Sequence, residues 1–266
     1  MKPYIEDFIR EMKNRNYSAN TIRLYSNNLK QFLDYSRENR FEPSRRIALF
    51  LEKRKNTPEQ RRLAWSSIKL FYKLVLRKEC PYKLDKVRGR KRLPDILSNN
   101  EIHCLLESIR NTTHRTMISM LYGSGLRVSE VCAIRIRDLD FSNQCLRVEN
   151  SKGCKDRITL LSMKMQSPLK ILIDGRKGED FVFITQTGSA YSVRTVQKIF
   201  SDALARSGLQ KSSTCHTLRH SFATHLVEQG VDIKTVKGLL GHKSIKTTMV
   251  YIKLSDPVSR KISSPL

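Results

Sequence analysis

The sequence predicts a mainly α-helical fold with a small antiparallel β-sheet, on three observations. Apolar residues recur at helical spacing, as at Phe8 and Met12 near the N-terminus. Two helix-start signals, Thr-Pro-Glu-Gln at 57–60 and Ser-Asn-Asn-Glu at 98–101, each combine an N-cap residue with a Gln or Glu that can cap in return. From Leu139 the apolar period changes to two, which is typical of β-strands.

The first 80 or so residues predict four helices. Ile22 and Leu29 fall on one helical face, and the capping signal at 57–60 opens a helix that reaches Val75. The stretch 81–94 contains two prolines, a glycine and many Lys and Arg residues, without apolar periodicity. We interpret it as a linker that lies on phosphates, although an exposed basic loop without a partner would have the same composition.

The second capping signal restarts the helical pattern and opens a second domain. Strands are expected at 146–148 and 157–161, joined by a turn at 151–156. Helices are expected over Ile102 to Ile109, up to Leu121, after Arg127 through Val128, Val131 and Ile134, and over 193–207, 216–228 and 233–240. The domain division is therefore an N-terminal helical domain at 1–82, a basic interdomain linker at 83–95 and a second domain at 96–266.

The charge of the chain points to a polyanionic partner. The 266 residues include 50 Lys and Arg against 25 Asp and Glu, and residues 1–92 alone hold 25 against 10. Such an excess favours nucleic acid, although a solvated surface or an anionic membrane face are alternatives. Hydrophobic residues make up 39% of the chain with regular periodicity, which excludes a disordered polycation.

Cysteine usage and the N-terminal segment predict a cytoplasmic protein. The six cysteines form no C-x-x-C pair, so neither a zinc ribbon nor a dense disulfide framework is indicated. The N-terminal segment lacks the apolar core of a signal peptide, and no stretch approaches the roughly 20 apolar residues of a membrane span. We therefore expect a cytoplasmic, nucleoid-associated protein with no membrane partner.

Residues 215–251 combine the groups that phosphodiester cleavage requires. The reaction needs a nucleophile, cations on the non-bridging oxygens and an acid for the departing oxygen. Tyr251 could be the nucleophile, and His216 and Arg219 share a helix face on which they can meet one phosphate. His242 follows a helix end, and Arg127 follows a Gly-Ser-Gly turn. Taken singly, Tyr251 could be a structural phenol and Arg127 a surface arginine.

A metal is not expected at these residues. Glu228, Asp232 and Asp256 are isolated, so no carboxylate cluster is available to hold a cation. The Cys215-His216-x3-His220 spacing leaves a zinc site open, but no third and fourth ligands are evident. We expect no metal and no cofactor, and we expect His220 and His225 to be packed or capping histidines.

Five motifs in fixed order make the chain resemble the tyrosine recombinase family, and its phage-integrase and Xer-type members in particular. The motifs are Gly125-Leu126-Arg127-Val128-Ser129-Glu130, Lys152-Gly153-x-Lys155-x-Arg157, His216-x-Leu218-Arg219-His220-x-Phe222-Ala223-Thr224-His225, Leu240-Gly241-His242 and Thr247-Thr248-x-x-Tyr251. The N-terminal block is similar to the family's SAM-like core-binding domain. The fold implied is a SAM-like helical bundle followed by an α+β tyrosine-recombinase catalytic domain at 96–266.

The resemblance implies a role for each candidate residue. Tyr251 would attack the scissile phosphate and form a 3′-phosphotyrosyl intermediate with a free 5′-hydroxyl. Arg127 and Arg219 would hold the non-bridging oxygens, His216 would accept a proton, and His242 would donate to the phosphate. Because the covalent intermediate stores the bond energy, no nucleotide cofactor would be needed.

Two further residues follow from the same resemblance. Lys152 would protonate the leaving 5′-oxygen, and Lys155, in the same turn, is the alternative; Lys152 fills the family's Lys-Gly position. Glu130 would orient Arg127 rather than react.

The function implied is that of a site-specific DNA recombinase, acting in DNA integration and excision or in the resolution of chromosome or plasmid dimers. The expected partners are double-stranded DNA and other copies, as a homotetramer or heterotetramer on paired sites. The alternatives are a type IB topoisomerase, a non-catalytic DNA-binding protein on the same scaffold and a metal-dependent nuclease.

Overall fold

The computed structural model describes residues 2–53, 57–84, 95–149, 156–242 and 244–254. The chain divides into two compact units, Met1–Lys91 and Arg92–Leu266. The predicted linker lies almost wholly outside the described residues, as do the turn at 151–155 and the segment after residue 254.

The first unit contains the four predicted helices. They are α1 Lys2–Asn14, α2 Ala19–Glu38, α3 Pro43–Lys53 and α4 Pro58–Leu74. One apolar face of each helix is buried in a shared core, to which the helices contribute Phe8, Leu29, Ile47 and Phe71 among others. The predicted capping box forms: the Thr57 side chain accepts from the Gln60 amide, and the Gln60 side chain accepts in return.

The second unit is helical with one small sheet. Its helices are α5 Asn99–Glu107, α6 Thr112–Gly123, α7 Val128–Val131, α8 Gln166–Ile173, α9 Val193–Arg206, α10 Cys215–Glu228, α11 Ile233–Leu240, α12 Ile245–Thr248 and α13 Val250–Leu254. The capping box predicted at 98–101 is confirmed at the start of α5. Within the described residues, no helix has both the length and the apolar character that crossing a bilayer requires.

The sheet has three antiparallel strands, β1 Leu139–Asp140, β2 Cys145–Val148 and β3 Arg157–Leu160, in the order β1-β2-β3. The predicted hairpin is therefore confirmed, and the short β1 is added to it. Leu146 pairs with Thr159 and Val148 with Arg157. All four of these side chains are buried, whereas Ile158 and its neighbour Leu160 are exposed. The strand alternation thus directs the Arg157 side chain into the protein.

The helix predicted after Arg127 is shorter than expected. It was expected to continue through Ile134, but α7 ends at Val131. Tertiary pairing overrides the helical spacing here, because the Ile134 carbonyl accepts from the Val182 amide at 2.8 Å. The apolar period alone could not distinguish this buried extended segment from another helical turn.

A buried hydrogen bond fixes the start of the second unit onto α10. The Ser221 hydroxyl accepts from the Leu97 backbone amide at 2.8 Å and donates to the Thr217 carbonyl at 3.0 Å. Ser221 and Leu97 are both fully buried. The hydroxyl therefore pairs a backbone N–H that has no access to water.

Replacing Ser221 with Ala should destabilise the protein by about 1–3 kcal/mol, because the Leu97 N–H would lose its acceptor. Denaturant unfolding followed by circular dichroism measures the loss. Ser201→Ala, at an exposed position of α9, is the matched control and should change stability by no more than about 0.5 kcal/mol. Equal stability of the two variants would contradict this assignment.

Candidate active site

Helix α10 carries two of the candidate groups, His216 and Arg219, and also His220 on the same face. Thr214 caps the helix by accepting from the His216 amide at 3.2 Å. His216, Arg219 and His220 then follow at spacings of three and four residues, which places their side chains side by side. Most of α10 is buried, but His216 is exposed and His220 is half-buried.

Arg219 is the largest fully buried side chain of the described residues, with 1% exposure. Its guanidinium donates to the Gly125 carbonyl at 2.6 Å and also to the Leu240 carbonyl. Gly125 has φ 60°, and a Cβ there would overlap the Phe222 ring, so only glycine fits this position. Burial, together with Arg127, lowers the pKa of Arg219 to about 10, which still leaves it charged at neutral pH.

The Glu130 carboxylate lies among three guanidinium groups. It accepts from Arg157 at 2.8 and 2.7 Å in a bidentate pair, and from Arg127 at 2.6 Å. It also accepts a hydrogen bond from the backbone amide of Arg127 at 2.7 Å, and it lies 3.8 Å from the guanidinium of Arg219. Although burial alone would raise the pKa of Glu130, the hydrogen bonds and charges of Arg157 and Arg127 lower it to about 2. Glu130 orients Arg127, as expected.

Arg157 connects β3 to the end of α11. Its Nε donates to the Leu239 carbonyl at 2.8 Å, while its terminal nitrogens hold Glu130. Gly241 ends α11 at φ 64°, and a Cβ there would lie 2.8 Å from the Arg157 Cδ. Glycine therefore serves two purposes here, the left-handed helix end and the close approach of Arg157.

The hydroxyl of Tyr251 is held by a histidine. Tyr251 is 2% exposed, and its oxygen lies 3.0 Å from His220 Nδ1. The ring of His242 stacks on the Tyr251 ring at 6.2 Å between centroids, and His242 Nδ1 is 3.0 Å from the Thr248 hydroxyl. The edge of His216 packs against His220 at 4.4 Å between centroids. Two imidazoles, those of His220 and His242, therefore contact the buried phenol, and the third, that of His216, packs behind His220.

The charge of the Arg219 guanidinium affects the pKa values of the three histidines and of Tyr251. Burial and then Arg219 lower the pKa of His242 to about 4. Burial, followed by His216 and Arg219, lowers the pKa of His220 to about 4. Burial raises the pKa of Tyr251, whereas Arg219 and Arg127 act in the opposite direction. The histidines are therefore neutral at neutral pH, beside a phenol in a positive field.

The structure brings five of the six expected site residues into one locality, namely Arg127, His216, Arg219, His242 and Tyr251. Lys152, like its alternative Lys155, lies outside the described residues. His220 was expected only to pack or cap, yet it makes the hydrogen bond to Tyr251. Helical spacing places His220 beside His216, but it gave no signal for the contact with Tyr251, which lies 31 residues away in the sequence.

Two other side chains that were considered in the sequence, those of Cys215 and His225, are packed inside the protein. His225 is 8% exposed, and its Nδ1 lies 2.8 Å from the Tyr122 hydroxyl, as expected for a packed histidine. In the part of the chain that the structure describes, no three His, Cys, Asp or Glu residues are grouped as metal ligands. Burial raises the pKa of Cys215 to about 12, which disfavours the thiolate that zinc would bind.

Comparison with family models covers most of the chain. Residues 95–257 match the phage integrase family, and residues 4–82 match the phage integrase N-terminal SAM-like domain. The chain belongs to the phage integrase family of tyrosine recombinases. It is a tyrosine-type site-specific recombinase, with a mainly helical fold and a SAM-like N-terminal domain, as the motifs predicted.

Similar tyrosine recombinases match over nearly their whole length. A tyrosine recombinase of Pseudothermotoga lettingae is 36% identical over 91% of this chain and 90% of its own. Tyrosine recombinase XerA of Pyrococcus furiosus is 32% identical over 94% and 89%. A crystal structure of XerA recombinase is 27% identical over 98% of this chain and 96% of its own, with a TM-score of 0.57.

The fold is also shared with a more distant tyrosine recombinase. The XerH site-specific recombinase bound to a palindromic difH substrate, in a post-cleavage complex, has a TM-score of 0.77 at 21% identity. That match covers 93% of this chain and 80% of the XerH chain. The shared fold therefore includes both the N-terminal and the C-terminal half of the sequence.

Glu130 and the three guanidinium groups around it, those of Arg127, Arg157 and Arg219, form a cluster that we call the Glu130 cluster. We expect this cluster to make the folding stability of the protein sensitive to acid. Because the folded-state pKa of about 2 lies below the ordinary value of 4.5, this carboxylate stabilises the fold above about pH 4.5, and the contribution is lost as the pH falls towards 2. The contribution is about 3 kcal/mol. Glu130→Gln should therefore lower stability at pH 7 and remove this part of the acid slope.

Denaturant unfolding between pH 7 and pH 3 measures both effects. Glu149→Gln, which removes a half-exposed partner of Arg137, is the matched control and should cost no more than about 1 kcal/mol. If Glu130→Gln and Glu149→Gln had the same pH dependence, the Glu130 cluster would not be the source of the acid sensitivity.

Proposed function

We propose that Tyr251 is the nucleophile with which this site-specific recombinase cleaves DNA. Its hydroxyl would attack the scissile phosphorus, form a 3′-phosphotyrosyl bond and release the 5′-hydroxyl of the departing strand. The observation that carries the proposal is the position of the Tyr251 hydroxyl, which lies 3.0 Å from His220 Nδ1 and within the influence of Arg219 and Arg127. Burial raises the pKa of this phenol, and a phenol is a poor nucleophile unless a neighbouring base takes its proton, so the adjacent imidazole matters.

The two arginines would stabilise the charge that develops on the non-bridging oxygens. Arg127 has 39% of its side chain exposed, so it can meet an incoming phosphate. Arg219 is fully buried and is held by two carbonyls, which use only part of its five N–H donors. Because Glu130 holds Arg127 and the neighbouring Arg157, the positive groups are arranged before DNA binds, and little reorganisation is required.

Proton transfers would complete the reaction. Lys152 would protonate the leaving 5′-oxygen, with Lys155 as the alternative in the same turn. His242 would donate to the phosphate. The phenolic proton would pass to a neutral imidazole of the pocket, and the family resemblance implies His216 for this role. Rejoining reverses the attack with the 5′-hydroxyl of another strand, so no nucleotide cofactor is consumed.

DNA binding would engage both units. We propose residues 1–82 as a DNA-binding domain, 83–95 as a basic linker and 96–266 as the catalytic domain, supported by the charge surplus of residues 1–92 and by the two family matches. The partner would be double-stranded DNA, with a homotetramer or heterotetramer on paired sites. A DNA-directed enzyme of this family would act on the nucleoid in the cytoplasm.

Tyr251→Phe should abolish the covalent protein–DNA complex and leave DNA affinity within about threefold, because only the attacking oxygen is removed. A substrate nicked near the scissile phosphate, followed by denaturing electrophoresis, detects the complex. Tyr122→Phe is the matched control, since Tyr122 is a partly buried tyrosine whose hydroxyl is likewise hydrogen-bonded to a histidine. Loss of DNA binding in Tyr251→Phe, or loss of the complex in Tyr122→Phe, would undermine the assignment.

Cleavage should continue in excess chelator, because protein cations would meet the charge of the phosphate. The same nicked substrate, assayed with and without EDTA, checks this, and the expected rates agree within about twofold. A protein that stops cleaving in EDTA and recovers with magnesium or zinc would require a metal in the mechanism.

A further inference from the structure

We infer that His220, rather than His216, takes the proton of the Tyr251 hydroxyl as the phosphotyrosyl bond forms. This inference rests on the proposed role of Tyr251 as the nucleophile. His220 is the imidazole whose nitrogen lies at hydrogen-bond distance from the phenolic oxygen, 3.0 Å from Nδ1. A proton can pass directly at this distance, without a bridging group.

The surroundings of His220 leave Nδ1 free to accept. Its ring faces His216 and Arg219 on α10, Tyr251 on α13 and His242 after α11. Burial, followed by His216 and Arg219, lowers the pKa of the ring to about 4 and keeps it neutral. With its one proton on Nε2, the neutral ring accepts the hydroxyl hydrogen at Nδ1.

His216 is differently placed. Its ring contacts the ring of His220 and is solvent exposed, as is Arg127 in part. An exposed imidazole beside the phosphate-binding arginine is suited to contact the DNA backbone, whereas His220 contacts the nucleophile. His220 therefore takes the proton-accepting role that the resemblance gives to His216, and His216 contacts the DNA.

The step balances in atoms and charge. As the bond between the Tyr251 oxygen and phosphorus forms, the phenolic proton moves to Nδ1 of His220. The bond between phosphorus and O5′ breaks, and O5′ takes a proton from the acid of the proposed mechanism, Lys152 or Lys155. The bound phosphodiester anion offsets the arginine charge that opposes an imidazolium at His220. Rejoining returns the proton from His220 to the phenolic oxygen.

A substrate with sulfur in place of the bridging 5′-oxygen isolates this transfer, because a thiolate leaves without a proton. Single-turnover formation of the covalent complex is measured on the sulfur and oxygen substrates. His220→Asn places an amide near the Nδ1 position, so the hydrogen bond can persist while the proton cannot be accepted. We expect His220→Asn to form the complex about 100-fold more slowly on both substrates, with DNA affinity unchanged.

Helix α10 offers a matched control in His225→Asn. His225 Nδ1 also contacts a tyrosine hydroxyl, that of Tyr122, at 2.8 Å, so the same substitution is made in a similar buried setting. His225→Asn should retain the wild-type rate within about threefold. If His220→Asn and His225→Asn both lost DNA binding, His220→Gln would be measured in place of His220→Asn. Its amide lies nearer the Nε2 position, and we expect the same loss in the rate of complex formation.

Three outcomes would overturn the inference. His220→Asn at the wild-type rate would mean that the hydrogen bond, not proton acceptance, is what matters. Recovery of His220→Asn on the sulfur substrate alone would place its role at the leaving group. Equal losses in His220→Asn and His225→Asn would indicate a structural effect. Failure of the wild-type protein to form a complex would instead overturn the proposed role of Tyr251.

Discussion

The site depends on one carboxylate placed among three guanidinium groups. Arg157 is 5% exposed and Arg219 1% exposed at the side chain, and two like charges so deeply buried would repel each other without a counterion. Glu130 supplies that counterion, with bonds of 2.6–2.8 Å to Arg127 and Arg157. The remaining positive charge is then directed at the pocket that contains Tyr251.

This carboxylate also joins parts of the chain that are distant in sequence. Glu130 is on α7, Arg157 begins β3, and the Arg157 Nε reaches the end of α11 at Leu239. The left-handed Gly241 allows that approach. Because His242 directly follows Gly241, the position of Arg157 affects both the arginine side and the histidine side of the site.

Much of the fold and the site could be predicted from local signals. Capping residues at Thr57 and Ser98 fixed helix starts because their hydrogen bonds lie within one turn. The family motifs selected Arg127 and Tyr251 as site residues, although the residues alone left both open to structural readings, and the structure places the two near each other. The helix starts were predicted correctly because each depends on spacing within a short segment, and the family was recognised because several motifs occur in order.

The remainder depends on contacts across long sequence separations. The pairing of Ile134 with Val182 shortened a predicted helix, and no local period reveals such a partner. The bidentate pair of Arg157 with Glu130 spans 27 residues. His220 and His225 have the same residue type on the same helix, and only the tertiary position of Tyr251 distinguishes the one that contacts the proposed nucleophile.

The most direct test of this account is to locate the covalent bond. The wild-type protein, trapped on nicked DNA, is digested with nuclease and protease, and mass spectrometry identifies the peptide that carries the nucleotide remnant. We expect a single modified peptide, with the remnant on the oxygen of Tyr251. A remnant on any other side chain would contradict it.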